Sequence, residues 1–222
     1  MPETRSTKNR VSKPKKATNT ATQASSSNSA DPSITFYFWR HTDPKKGWLS
    51  QWYECDFTDP DGVVYKTAEH YMMYQKALLF NDTATGQLIL DSTTPDVTRA
   101  LGRKVANFDE SAWRANRERI VEEGTRYKYT RAVSEEGLRY GVNPDAELIA
   151  PMTLKGLLLA TGDKDIVEAS PFDKIWGIGF SESKAEKNRE KWGLNLLGKA
   201  LVRVRAELRE EEKEEGKKEV EA

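Results

Sequence analysis

The chain is poor in the residues that build metal sites and disulfides. Of its 222 residues two are His and one is Cys. A structural zinc site takes four N/S ligands, and His41, Cys55 and His70 are all that the sequence offers. A single Cys excludes a disulfide framework, so nothing argues for secretion. No apolar run approaches the ~18 residues of a membrane span. The N-terminus lacks the apolar core of a secretory signal. An intracellular protein, of cytoplasm or nucleus, is expected. Charge of one sign is missing as well. The 35 Lys and Arg balance 35 Asp and Glu, so no net field favours nucleic acid or membrane as the main partner.

Several catalytic signatures are absent too. The sequence has no phosphate loop closed by Gly-Lys-Ser/Thr, no Gly-x-Ser-x-Gly elbow and no His-Glu-x-x-His helix. Gly177–Ile178–Gly179 opens like a dinucleotide fingerprint but has no third Gly. Cys55 precedes Asp56–Phe57 in a strand-like run and reads as a buried thiol rather than a nucleophile paired with His41 or His70. What remains are carboxylates, basic residues and many aromatics (six Trp, eight Tyr, seven Phe). Those suit glycosidic bonds.

Residues 1–33 hold twelve Ser or Thr and four Ala, with no aliphatic larger than Val11 after Met1. Such a composition cannot offset the entropy of ordering, which predicts a disordered tail. Its six basic residues include Lys13–Pro14–Lys15–Lys16, a weak patch for nuclear import or nucleic acid; a solvated tail is the plainer reading. From Glu207 to Ala222 there are eight acids and four bases. The apolar rhythm Leu197, Leu201, Val204, Leu208 is lost there, which predicts a fraying helix end. The folded unit is therefore about 34–208, with a charged tail at 209–222.

Within it, Ile34–Trp39 reads as a strand. Residues 56–58 and 63–65 flank Asp61–Gly62, a hairpin signal. Thr67 caps a helix to about Asn81, Pro95 opens one to Val105, and Asp109 caps a long one to about Tyr129. A helical pattern covers 145–160 with a break at Pro151. Residues 166–169 and 175–180 look extended, and 195 to about 209 forms the last helix. Helices outnumber strands and no βαβ alternation is present. The fold class is α+β: a helix-rich single domain with a small sheet.

Glu69, Met73, Lys76 and Phe80 fall on one helical face. Glu69 alone is explained by its place at a helix N-terminus, and Lys76 alone by snorkelling. Together on a partly apolar face they suggest a pocket wall, because unpaired buried charge is costly. Trp113, Arg117, Ile120, Gly124 and Lys128 form a second stripe. Trp113 alone reads as core. Followed one turn on by Arg117, it suits stacking on a flat base and holding a phosphate. Asp173 sits in a turn after Pro171. Trp176–Gly177 beyond it offers an aromatic face beside backbone that a ligand can approach closely.

These residues carry a resemblance. Phe36–Tyr37, Gly47–Ser50, Glu69–Tyr71, Gln75–Ala77, Leu101–Arg103, Trp113 with Arg117, Leu157–Gly162, Glu168–Asp173, Trp176–Gly179 and Trp192–Leu201 occur in the order found in the NADAR, or YbiA-like, family. The chain resembles that family over about 35–205. It departs at Gln51, where Asn is common, and at Tyr129, where Phe is common. An extra stretch of roughly 15–20 residues lies around 133–152. The resemblance implies a YbiA-like fold and cleavage of N-glycosidic bonds. The implied substrates are phosphorylated ribosylamino-pyrimidines of riboflavin synthesis, or NAD-related and ADP-ribosylated bases. It also implies a catalytic set that falls on Glu69, Trp113 and Asp173.

On this reading Glu69 serves the attacking water and the sugar cation, and Asp173 serves the leaving group or the ribose hydroxyls; the two roles are interchangeable on sequence alone. Trp113 and Trp176 stack on the base or shield the site. Gly177 lets the ligand in, and Ser50 joins through its motif. Lys76, Arg117 and Lys199 are candidates for phosphate, Lys199 by the family match. No metal or cofactor is called for. The expected partner is a small N-glycoside or ADP-ribosylated substrate, with nucleic acid a possible carrier of the adduct, no membrane and an open oligomeric state. The alternatives are a module that binds ADP-ribose or NAD without cleaving it, or a nucleic-acid-associated protein that removes ADP-ribose.

Overall fold

The computed structural model describes residues 35–134 and 152–221. The predicted tail at 1–33, the start of the 145–160 helical pattern and nearly all of the extra stretch lie outside the described residues. Strand β1 (Thr35–Phe38) pairs in parallel with β4 (Asp165–Glu168), with Thr35 opposite Asp165 and Phe38 opposite Glu168. Every residue of β1 is buried, as befits a parallel strand covered on both faces. A short hairpin, β2 (Phe57–Thr58) and β3 (Val64–Tyr65), pairs antiparallel. Its turn ends at Gly62, whose φ of 84° is in the left-handed region that glycine enters freely.

Seven helices make up most of the described chain: α1 (Ala68–Leu79), α2 (Thr83–Asp91), α3 (Pro95–Gly102), α4 (Glu110–Thr130), α5 (Leu154–Ala160), α6 (Glu182–Ala185) and α7 (Leu196–Glu221). The starts follow the sequence. The Thr67 hydroxyl accepts from His70 N, and the Asp109 carboxylate from Ala112 N at 2.7 Å. Thr94 caps α3, with Pro95 in its first turn. Thr153 caps α5 by accepting from Gly156 N at 3.1 Å. Each cap satisfies a donor that helix geometry leaves unpaired.

Helix α1 packs against α2, α3 and α4; α4 packs against α7, and α7 lies on β4. Two of these contacts leave no room for a Cβ. One built on Gly124 would stand 2.4 Å from Tyr71 Cδ1, and one on Gly198 would stand 2.1 Å from Ile166 O. Among the described residues no helix is long and apolar enough to cross a membrane.

Four expectations need correction. The helix opened by Pro95 ends at Gly102, not Val105. Helix α2 was not foreseen, although Asp82 caps it by accepting from Thr85 N at 3.0 Å. Residues 175–180 are not a strand. The Asp173 carboxylate accepts from Ile175 N and Trp176 N and turns the chain, and the carbonyls of Ile175 and Trp176 then accept from Leu196 N and Leu197 N. The segment is thus consumed in capping α7. Finally, α7 runs to Glu221 rather than fraying near 209. Ion pairs hold its charged half: Arg126 of α4 meets Glu211 at 2.7 Å, and Lys155 of α5 meets Glu212 at 3.2 Å.

Candidate active site

A cavity of about 710 Å³ opens where the start of α1, the end of α3, the first turn of α4 and the loops after β1 and β4 meet. Glu69, Lys76, Trp113, Asp173, Trp176 and Ser50 all line it. Residues more than a hundred positions apart therefore share one wall.

Glu69 is the most deeply set of these. It is 4 % exposed, and its backbone N–H donates to Gln51 O at 3.1 Å, which fixes the start of α1 under the Ser50–Trp52 loop. Burial pushes its carboxyl up to about 7. A hydrogen bond with the Trp52 side chain and the positive charges of Arg99 and Arg103 pull the other way, and Asp173 pushes up again. Desolvation wins because two guanidiniums at a distance do not replace a hydration shell. Two turns along, the Lys76 ammonium donates to Gly102 O at 2.8 Å and lies 4.2 Å from the Phe108 ring centre and 5.5 Å from that of Trp113. Burial lowers its pKa, against the pull of Glu110 and Glu69.

Asp173 has a divided task. Its Oδ1 accepts from Ile175 N at 2.7 Å and Trp176 N at 2.8 Å, which shapes the loop that carries Trp176. Phe172 beside it is 88 % exposed at the mouth and rests against Trp39, ring centres 6.0 Å apart. Arg40 covers the Trp39 ring at 4.5 Å. Across the opening, Trp52 is flanked by Arg99 at 4.8 Å and by His41 at 5.8 Å. The rim thus offers flat aromatic faces joined to cations, which suit a base that carries phosphate.

Three expected contacts lie elsewhere. Arg117 is buried within α4 and is not on the cavity wall; its Nε has no hydrogen-bond partner. Lys199 lines a separate depression with Asp165 and Trp192. Gly177 is tight against the chain itself, since a Cβ there would stand 2.6 Å from Glu168 O. It admits the end of β4, not a ligand. His70 is spent on structure: Nδ1 meets the Thr67 hydroxyl at 2.8 Å and Nε2 meets Ser92 O at 3.3 Å. Burial lowers its pKa to about 4, so it stays neutral.

Sequence reasoning passed over Glu168, Trp52, Arg99 and Arg103, all on the wall. Glu168 is the last residue of β4. Its signal was a carboxylate ending an apolar strand just before a turn-forming run. Arg103 closes the Leu101–Arg103 motif, while Trp52 and Arg99 carry no local signal; only the packing of α3 and the Ser50–Trp52 loop around α1 brings the three to the wall. Among the described residues no three His, Cys, Asp or Glu side chains are arranged to hold a metal ion.

Comparison with known proteins places this geometry in a family. Residues 37–209 match the model of the NADAR domain. An N-glycosidase of Acanthamoeba polyphaga mimivirus is 40% identical over 72% of this chain and 86% of its own length. An N-glycosidase of Nostoc punctiforme is 29% identical over 79% of this chain and 94% of its own. The solution structure of the Escherichia coli protein YbiA superposes with a TM-score of 0.58 at 24% identity, covering 82% of this chain and 89% of that one. On the strength of the match across nearly all of the folded unit, the chain belongs to the NADAR domain family.

Proposed function

We propose that the protein is a hydrolase of N-glycosyl bonds that releases a free base from a phosphoribosylated or ADP-ribosylated substrate, through the chain's own side chains. The observation that carries this reading is the convergence of Glu69, Asp173 and Trp113 on one cavity, with Lys76 on the same wall. The names of the relatives agree with it.

Breaking a ribosyl C–N bond leaves positive charge on the sugar. Glu69, ionised above about 7, takes a proton from the attacking water and faces the developing cation. Asp173 keeps Oδ1 on the loop and offers Oδ2 to the ribose hydroxyls. Trp113 and Trp176 shield the reacting carbon and stack on the base. Lys76, Arg99 and Arg103 neutralise phosphate.

The test is a substrate panel with product identification. It comprises a ribosylaminopyrimidine phosphate, NAD, and DNA bearing an ADP-ribosylated base. Free base and a free anomeric hydroxyl are expected from at least one, and no release from Glu69→Gln. A melting shift with ADP-ribose, and no base released from any of the three, would instead make this a binding module.

A further inference from the structure

Glu168 has no place in the scheme above, yet its backbone is pinned on both sides. Its N–H donates to the Asn195 side-chain oxygen at 3.0 Å, and its carbonyl accepts from Ile178 N at 3.0 Å. Gly177 closes against the same carbonyl. Asn195, at φ 50°, also donates to Ile166 O at 3.0 Å and so continues the edge of β4. The side chain reaches the cavity, while Oε2 is shut off from solvent without a hydrogen-bond partner. A buried oxygen with no donor beside it cannot hold negative charge cheaply. Resting on the N-glycosidase reading, we infer that Glu168 is the acid that protonates the departing base, with Glu69 as its partner base.

The step balances. The bond from C1′ to the base nitrogen breaks, and its electron pair goes to the base, which takes the Glu168 proton. Water adds its oxygen to C1′ and gives one proton to Glu69. The other remains in the new anomeric hydroxyl. The proton on Glu69 then returns to Glu168 through solvent, so one water is consumed per turnover.

The electrostatics fit the division of labour. Burial first, then the charges of Asp173 and Glu69, push Glu168 up to about 8, against about 7 for Glu69. A hydrogen bond with Trp52 and the charges of Arg99 and Arg103 favour the Glu69 anion, whereas every influence on Glu168 raises it, and carboxyls in such unlike surroundings are the pattern of an acid and base pair. The other charged and titratable groups on the surrounding walls are Lys76 from α1, Arg99 and Arg103 from α3 and its end, Arg40 and His41 after β1, and Asp173. Asp173 is tied to two backbone donors, which leaves Glu168 the freer acid.

The experiment measures kcat against pH for the full chain and for Glu168→Gln, on the panel substrate whose base leaves as an amine and on NAD, whose nicotinamide leaves without a proton. The wild type is expected to give a bell, with an acid limb from Glu69 and an alkaline limb from Glu168. Glu168→Gln is expected to lose ~10²–10⁴-fold on the amine substrate, with the alkaline limb gone and the melting temperature no lower than that of the wild type. Its loss on NAD, where the wild type cleaves NAD, should be less than about tenfold, since that base needs no acid. Unchanged rates, a retained alkaline limb, or equal losses on both substrates would overturn the assignment. Where the variant fails to fold, the wild-type profile decides: a missing alkaline limb on the amine substrate overturns it. Absence of base release by the wild type from any substrate would strike the N-glycosidase reading itself.

Discussion

Replacing Glu69 by Gln should stabilise the protein while abolishing its turnover. The ordinary carboxyl value of 4.5 is raised in the fold to about 7. Between those values the folded chain holds a proton that the unfolded chain releases, so stability falls as pH rises and levels off above about 7. At about 1.36 kcal/mol per pH unit, the full penalty is about 3 kcal/mol. Gln has the same shape, keeps an oxygen for the Trp52 hydrogen bond and has nothing to ionise. The variant should therefore match the wild type near pH 4 and exceed it by about 3 kcal/mol at pH 8. For a folded unit of this size that is roughly 6–12 °C in melting temperature. Denaturant melts of both proteins across pH 4–8, beside kcat on the cleaved substrate, would measure it. A carboxylate that merely favours a helix N-terminus contributes ~0.3–1 kcal/mol, and its loss would destabilise. A variant less stable than the wild type at pH 8, with rates within about threefold, would refute the reasoning.

Three further outcomes are expected. Asp173→Ala frees two backbone N–H groups and should cost about 1–3 kcal/mol in a melt; Asp173→Asn keeps Oδ1 and should fold as the wild type while losing kcat. Lys128 is fully buried and donates to Trp48 O at 2.7 Å and Ser50 O at 2.8 Å, with burial lowering its pKa to about 8. Lys128→Met should lower stability by about 1–3 kcal/mol, since those carbonyls lose their donor, and should raise KM by loosening the Ser50–Trp52 loop. Gly124→Ala should cost about 1–3 kcal/mol by overpacking against Tyr71, which thermal melting reads directly.

Most of the separate elements of this fold were legible because their causes are local, although α2 was missed in spite of its Asp82 cap. Thr67, Thr94 with Pro95, and Asp109 cap the helices that follow them, and the cap lies within three residues of what it stabilises. The pairing of Glu69 with Lys76 on one face follows from helical period alone, and Trp113 marks the start of α4 in the same way. Where a competing partner lay far away, the local pattern misled. Ile175–Phe180 has the composition of a strand, but its carbonyls answer the unpaired N–H groups of α7. The acidic run after Leu208 has no apolar face of its own and stays helical through ion pairs from α4 and α5.

The sequence by itself determined the helix-rich class, the family and the residue types available for chemistry, because composition, caps and ordered motifs need no third dimension. Only the tertiary structure decided which of those residues meet. It drew Glu69, Trp113 and Asp173 to one cavity, buried Arg117 and left Lys199 at a separate depression, and brought Glu168 to the cavity wall. It also decided how they titrate. A carboxyl's proton affinity depends on the water it loses and the charges it faces. Both are set by packing among segments that lie about a hundred residues apart.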